Sequence, residues 1–566
     1  MGVHQKFMII VFLPLLLSQT IHSYSSGDVK SWCSQMPYPQ PCEYFLTHSP
    51  NQTPLKRKSN FIKASMQVAL ERAQLAQADM YSLGPRCRNK REKAAWADCL
   101  QLYEHTVLDL NRTIDCQCTQ DDVQMWLSSA LTNLETCRAG FIKLGVSDNV
   151  LPLMPNNVSK LINNALSANY VPYAPPKYTN EFPTWLKPSN RKLLQSPSVS
   201  SIANIVVAQD GTGNYKTISE AVTAASKQSC TTRYVIYIKA STYEENVEVG
   251  RKLENIMFVG DGIGKTIITG SKSHDEGSTT FKSATIAVVG DGFIAKHITF
   301  CNTAGAANHQ AVALRSNSDL SIFYQCGLEG YEHTLDVHSK RQFYRECDIY
   351  GTVDFIFGNA TVIFQNCNIY DKSPPDKVNT ITTQDRTHPN QNTGISFQNC
   401  KVTAAPDLIS IQSSVKTYLG RPRRKYSRTV FMNTYLDCLI DPAGWLEWKG
   451  DFALKTLYYG EYKNTGPGSS TTNRVTWAGY HVITSLTEAS MFTIGQLIPD
   501  GTWLLAAGVP HDAPNTPYNA PNTPYVAPYT SEGYKLFIGF IGDYNGYSPV
   551  QSSFFFLFLL YFGNLF

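Results

Sequence analysis

The sequence predicts two folds in one chain of 566 residues: an all-α four-helix bundle first, then an all-β right-handed parallel β-helix. Three observations lead there. Between residues 27 and 180, apolar side chains recur at helical spacing. From Ala203 onward the texture changes to short β-branched strands broken by Gly, Asn and Asp, with no helices between them. Within that second region an aromatic and a cysteine close one strand after another: Phe300-Cys301, Tyr324-Gln-Cys326, Tyr344-Arg-Glu-Cys347, Phe364-Gln-Asn-Cys367 and Phe397-Gln-Asn-Cys400. The cysteines step by 25, 21, 20 and 33 residues, and steps of this size with one strand group each are the mark of a solenoid. The repeated cysteines and aromatics are expected to stack inside the coil, where a thiol serves as a small buried hydrophobe rather than a metal ligand.

Length alone calls for more than one core. The net charge of +4 and the lack of a long basic cluster exclude a nucleic-acid partner. Residues 1–24 read as a secretory signal peptide: Lys6, an apolar run from Phe7 to Leu17, then small and polar residues. That run is too short to span a bilayer. A secreted chain with 14 cysteines can form disulfides. Sequons begin at Asn51, Asn111, Asn157 and Asn359 and mark candidate glycosylation sites.

In the helical region, residues 27–180, Cys33 and Cys42 bracket a Pro-rich turn that a local disulfide would close. One periodic run follows through Ile62, Met66, Leu70 and Ala73, and another through Val123, Trp126, Leu127, Ala130, Leu131 and Leu134, after the acidic start Asp121-Asp122. Residues 181–200 form a linker rich in Pro and Ser. The β-stranded domain covers 201–512 and a Pro-rich, then hydrophobic tail covers 513–566. The terminal apolar run of nine residues, 554–562, is too short to span a membrane, so an appended tail is expected, with lipid or membrane anchoring as the alternative. The stretch Gly260-Asp-Gly-Ile-Gly-Lys-Thr266 imitates a phosphate loop but has one residue too few between its glycines, so it reads as a turn between strands.

The densest chemistry lies in 331–358, which ends on Asp354 inside the apolar run Val-Asp-Phe-Ile-Phe. A carboxylate there needs a partner or a shifted pKa. Stacked turns of a β-helix would bring it near the amide of Gln310, and the segment Leu419-Gly-Arg421-Pro adds a guanidinium. A carboxylate nucleophile, an amide at the oxyanion and an arginine orienting the carboxylate make an acyl-transfer site without serine.

Five ordered motifs then carry a resemblance: Gly-Thr-Gly-Asn-Tyr-Lys-Thr-Ile (211–218), Gln-Ala-Val-Ala-Leu (310–314), Gly-Thr-Val-Asp-Phe-Ile-Phe-Gly-Asn-Ala (351–360), Leu-Gly-Arg-Pro (419–422) and Asp-Pro-Ala-Gly-Trp-Leu-Glu-Trp (441–448). With them the chain resembles plant pectin methylesterases from about 203 to 510, and its helical region resembles the plant invertase and pectin methylesterase inhibitor family. The resemblance implies hydrolysis of galacturonate methyl esters in cell-wall pectin, methylesterified homogalacturonan, to methanol and pectate, without a cofactor or metal. It implies Asp354 as nucleophile, Gln310 at the oxyanion and Arg421 orienting the nucleophile, with Thr280, Phe357 and Trp445 in the substrate groove. It also implies disulfides Cys33–Cys42 and Cys99–Cys137; Cys326 and Cys347 are a further candidate pair beside the site. Arg191-Lys192-Leu193-Leu194 resembles the place where a subtilisin-like protease separates the two halves, after Leu194. Proteinaceous pectinesterase inhibitors are the other implied partners.

The chain departs from that family at several positions. His333 stands where the family has the aspartic acid that protonates the leaving methoxide, and Glu332 where it has a glutamine that stabilises the transition state. Asp336 replaces a groove tyrosine, and Arg423, at the groove's rim, a tryptophan. Two readings follow: a secreted esterase made as a restrained precursor, or a pectin-binding or regulatory relative that acts without turnover, through its β-helix or its inhibitor-like domain.

Overall fold

The computed structural model describes residues 26–49, 55–114, 117–154, 157–170, 203–227 and 232–498. The signal segment, the linker with Arg191, Lys192, Leu193 and Leu194, Asn51 and the C-terminal tail lie outside the described residues. No helix among the described residues is long and apolar enough to cross a membrane.

The N-terminal part is helical: α1 (Ser26–Cys33), α2 (Pro39–Thr47), α3 (Lys58–Leu83), α4 (Lys90–Arg112), α5 (Gln120–Lys143) and α6 (Asn157–Asn169). Helices α3 to α6 pack as a four-helix bundle, and α1 and α2 form a hairpin against it. Local signals set the starts. Asn89 caps α4 by accepting from the Glu92 amide at 2.9 Å, and Thr119 and Asp122 form a reciprocal capping box on α5. The periodic residues Met66, Leu70 and Ala73 of α3 and five of the six of α5 are buried in one core, while Trp126 is buried outside it, under the Arg112 guanidinium. Burial of each large side chain there is worth roughly 1.5–3 kcal/mol. Disulfides Cys33–Cys42 and Cys99–Cys137 tie α1 to α2 and α4 to α5. Cys118 is disulfide-bonded as well, whereas Cys87 is a free thiol.

From Ile205 to Val482 the chain winds through three parallel sheets, of 11, 7 and 8 strands among the described residues. One turn visits each in order: Arg341–Arg345, Asp348–Gly351, Val353–Gly358, then Thr361–Gln365 back in the first sheet. This is a parallel β-helix, and its interior is a ladder of like on like. Phe323, Tyr344, Phe364, Phe397 and Phe431 are in register on successive strands, with centroids 4.4 to 4.8 Å apart. Each corner after these strands is turned by a residue with positive φ, among them Gln325, Glu346, Asn366 and Asn399, and the next residue is the buried Cys326, Cys347, Cys367 or Cys400. The phosphate-loop imitation is a turn between the strands Ile256–Val259 and Thr266–Gly270.

Three expectations change here. Cys326 and Cys347 are free thiols, not a disulfide; the Cys347 sulfur donates to Phe323 O at 3.3 Å and the Cys326 sulfur to Tyr324 O at 3.5 Å. Stacked residues on neighbouring parallel strands point the same way about 4.8 Å apart, further than the roughly 3.8 Å between Cβ atoms that a disulfide requires. Cys301 is not a rung of the cysteine ladder: it lies within the strand Thr299–Asn302, half-buried, and Ile298 fills the interior corner position. Asn359 is buried; its amide donates to Thr132 of α5 and its carbonyl accepts from Gln384 and Thr393, so a glycan has no room there. Asn111 is exposed and Asn157 half-buried.

Candidate active site

The seven-stranded sheet positions the site. Its strands Leu314–Ser316, Leu335–Asp336, Val353–Gly358 and Val378–Gln384 are consecutive neighbours, with Leu314 paired to Leu335 and Leu335 to Ile356. Residues preceding these pairs therefore stand one above another: Gln310, then Glu332 and His333, then Asp354. His333 and Asp354 occupy equivalent corners of neighbouring turns, both left-handed, at φ +68° and +50°. Asp and His are among the residues enriched in this region. At Asp354 the register with Val378–Gln384 also shifts between Val353 and Ile356, so a bulge turns the carboxylate out of the regular alternation. Gly358 closes the strand at φ +121°, where a Cβ would lie 2.3 Å from Val337 O.

Asp354 is only 2% exposed. Arg421 grips it with a two-point fork, Nε to Oδ1 and Nη2 to Oδ2, each 2.8 Å. Thr380 donates its hydroxyl to Oδ1 at 2.7 Å and accepts the Asp354 amide at 2.9 Å. Burial by itself would raise the carboxyl pKa, but the Arg421 fork more than offsets this and holds Asp354 below the usual range, ionised. The Arg421 guanidinium rests 4.7 Å above the Trp448 ring.

Gln310 presents its amide on the adjacent turn. Thr280 donates to Oε1 of Gln310, and so does Lys143 of α5, at 3.0 Å. With the oxygen engaged, the NH2 end remains for another acceptor. His333 is 4% exposed, packs edge-on to Phe357 with centroids 4.3 Å apart, and has Nδ1 3.4 Å from Glu332 Oε1. Burial pushes its pKa down, Glu332 pulls it up, and Lys143 pushes it further down. Burial and the Lys143 amine thus both disfavour a charged His333. Glu332 is held below its usual pKa because His333 outweighs its burial.

Beyond the nucleophile lie Asp336 and Arg423. Arg423 pairs with Asp385 at 3.1 Å. Asp336 is buried, with its pKa pushed up to about 7 by burial; Arg315 opposes this and Asp385 adds to it. Both line a pocket closed on its far side by α5, together with Thr280, Phe357 and Lys143. Trp445 departs from expectation: it is 1% exposed, stacked 4.2 Å from Tyr459 inside the coil, and donates to Glu461. The exposed aromatic at this rim is Trp448. Thr380 and Lys143 carry no motif of their own, and Trp448 closes the 441–448 motif without marking its contact with Arg421. Only the stacking of turns and the docking of α5 bring them to Asp354, Arg421 and Gln310.

Both halves of the chain are similar to known protein families. The pectinesterase family profile matches residues 204–502, and that of the plant invertase/pectin methylesterase inhibitor matches residues 27–167. "Pectinesterase 2" of Citrus sinensis is 64% identical over 508 residues, covering 89% of this chain and 98% of its own length. "Probable pectinesterase/pectinesterase inhibitor 17" of Arabidopsis thaliana is 60% identical over 87% of this chain and 96% of its own. Among solved structures, the pectin methylesterase from carrot is 57% identical, with a TM-score of 0.54 over 55% of this chain and 97% of that one. The chain belongs to the pectinesterase family, with an inhibitor-family helical domain preceding its β-helix.

Proposed function

We propose that the protein is a secreted cell-wall esterase that hydrolyses the methyl esters of galacturonate units in pectin, releasing methanol and pectate. The observation that carries this reading is Asp354, buried, ionised and fixed by the Arg421 fork. An Asp354 oxygen attacks the ester carbonyl carbon, and the Gln310 NH2 donates to the oxygen that gains charge. The C–OCH3 bond breaks as the methoxide oxygen takes a proton from His333, and methanol leaves. Water then attacks the Asp354-linked acyl group and gives a proton to His333. The carboxylate of Asp354 is freed, and the new galacturonic acid ionises. Positioned acid–base catalysis of this kind is worth about 10² to 10⁴ in rate, and an oxyanion donor about 10² to 10³.

The helical domain fits the role of a restraint, since Lys143 occupies the Gln310 amide oxygen and α5 closes the pocket. Cleavage after Leu194 by a subtilisin-like protease would free the catalytic half, with separate proteinaceous inhibitors as later partners. The test is methanol release from methylated pectin after cutting in 181–200, compared with an Asp354→Ala chain. Release well above that control is expected. Equal release would overturn the reading in favour of a pectin-binding or regulatory relative.

A further inference from the structure

We propose that His309 is the solvent end of a proton relay that crosses Glu332 to His333; it rests on the esterase reading and gives the altered acid position its means of reloading.

The arrangement is linear. His309 is 63% exposed on its side chain, Glu332 22% and His333 5%, so three titratable groups run from solvent to the buried edge of the nucleophile. The Glu332 carboxylate spans the two rings, Oε2 lying 3.5 Å from His309 Nδ1 and Oε1 3.4 Å from His333 Nδ1. These separations exceed an ideal charge-assisted bond, and His333 Nδ1 is a buried nitrogen without a closer partner, so a small carboxylate rotation completes either contact. At the outer end Asp275 stands 4.0 Å from His309 Nε2. No group of these residue types among the described residues has the geometry to hold a metal ion.

The backbone supports the assignment. His309 sits at φ +53° and ψ −140°, a conformation L-residues rarely adopt, so the chain bears strain where the ring is aimed at Glu332. Such outliers concentrate at functional sites. The groups facing His333 are Glu332, Asp354, Lys143 and the edge of Phe357. Its Nδ1 points to Glu332, which leaves Nε2 for the substrate. A buried imidazole that gives its Nε2 proton to methoxide needs another proton, and the nucleophile's own carboxylate cannot supply one.

The proton count closes. In acylation neutral His333 loses its Nε2 proton to methoxide, while Nδ1 takes one that His309, charged from solvent, passes on through the Glu332 carboxylate. In deacylation the proton from water arrives at Nε2, and the Nδ1 proton leaves by Glu332 and His309. One proton enters and one leaves through the relay. The proton of the newly formed carboxylic acid is the net proton released by ester hydrolysis. His309 touches neither substrate nor nucleophile, so it is a positioning and relay residue.

The test is the His309→Gln chain, assayed for methanol release from methylated pectin after cutting in the linker, with both halves kept in solution. In dilute non-imidazole buffer, kcat should fall about tenfold or more with KM unchanged, and added imidazole should restore it. A kcat and buffer response equal to those of the parent would overturn the relay. Histidine titrations followed by NMR in the uncut chain separate this outcome from failure of the esterase reading. In the relay, the His309 and His333 curves are coupled, and Glu332→Gln uncouples them. If the parent chain releases no methanol, the esterase reading fails, and coupled curves still support the proton path. Independent curves in the parent overturn it whatever the activity.

Discussion

Lys143, the last residue of α5, donates to Oε1 of Gln310 at 3.0 Å across 167 residues of sequence. The contact joins the helical domain to the amide proposed to hold the oxyanion. The amine reaches it at a cost to its charge: burial and Arg423 pull its pKa down to about 7, against the pull of Asp385, Asp336 and Glu332. Removing it should loosen the restraint. Lys143→Ala in the uncut chain is expected to raise methanol release several-fold, with no change in the cut chain. A pH effect accompanies it. The docked amine binds fewer protons than a free one, whose pKa is about 10.4, so docking weakens as pH falls from about 10 to 7 and levels off below. Domain separation after cleavage, followed by gel filtration, should be easier at about pH 7 than at about pH 9.

The fork on Asp354 should resist conservative change. Arg421→Lys keeps the charge but loses the second N–H and the planar stack on Trp448. Methanol release is expected to drop about 10² or more, from lost orientation of the nucleophile. Equal loss in KM alone would instead assign Arg421 to substrate binding.

His333 gives the pH profile a sign. As the acid it hands on at Nε2 a proton that must be replaced from solvent, so kcat falls as pH rises; in the uncut chain burial and Lys143 further disfavour extra charge on the ring. Withdrawal of α5 removes Lys143 and part of the burial, and the alkaline limb should move to higher pH after cleavage. His333→Asp should preserve or raise turnover with a changed profile. An identical profile would remove His333 from the chemistry.

Asp336 predicts a stability effect away from the reaction. Its folded pKa of about 7 lies above the ordinary carboxyl value near 3.9. The folded state therefore holds a proton that the unfolded chain has lost between about pH 4 and 7, and stability falls as pH rises through that window. Asp336→Asn is expected to stabilise the β-helix by about 1–4 kcal/mol at pH 8 and by little at pH 4. Urea midpoints at the two pH values check this.

Much of the architecture was legible because it rests on repetition. Helical spacing through Val123, Leu127, Ala130 and Leu134 marked a buried face that the bundle does bury. The aromatic–cysteine pairs marked the rungs of the coil, although Cys301 shows that the pairing of residue types alone cannot set register: one corner uses Ile298 instead. Motifs located Asp354, Arg421 and Gln310, which stacking brings to one edge. Other features had no local signature. Trp445 and Trp448 stand three residues apart, and only the packing around Tyr459 and Arg421 determines which is inside. The sequon at Asn359 is chemically complete, yet its amide is committed to Thr132 of another domain. Lys143 reads as an ordinary helix-terminal lysine until α5 is laid over the groove.

The shared left-handed corners of His333 and Asp354 have a consequence for how such a site can vary. The backbone there repeats with the coil, so the distance between the two Cβ atoms is set by the pitch of the sheet and not by the side chains. Exchange at one corner alters the proton-transfer group while the attacking atom keeps its coordinates. The coil thus acts as a socket of fixed spacing, open to chemical substitution at position 333 but closed to a one-residue insertion or deletion within the paired strands Arg341–Arg345 and Asp348–Gly351 that lie between the two corners, which would break their register.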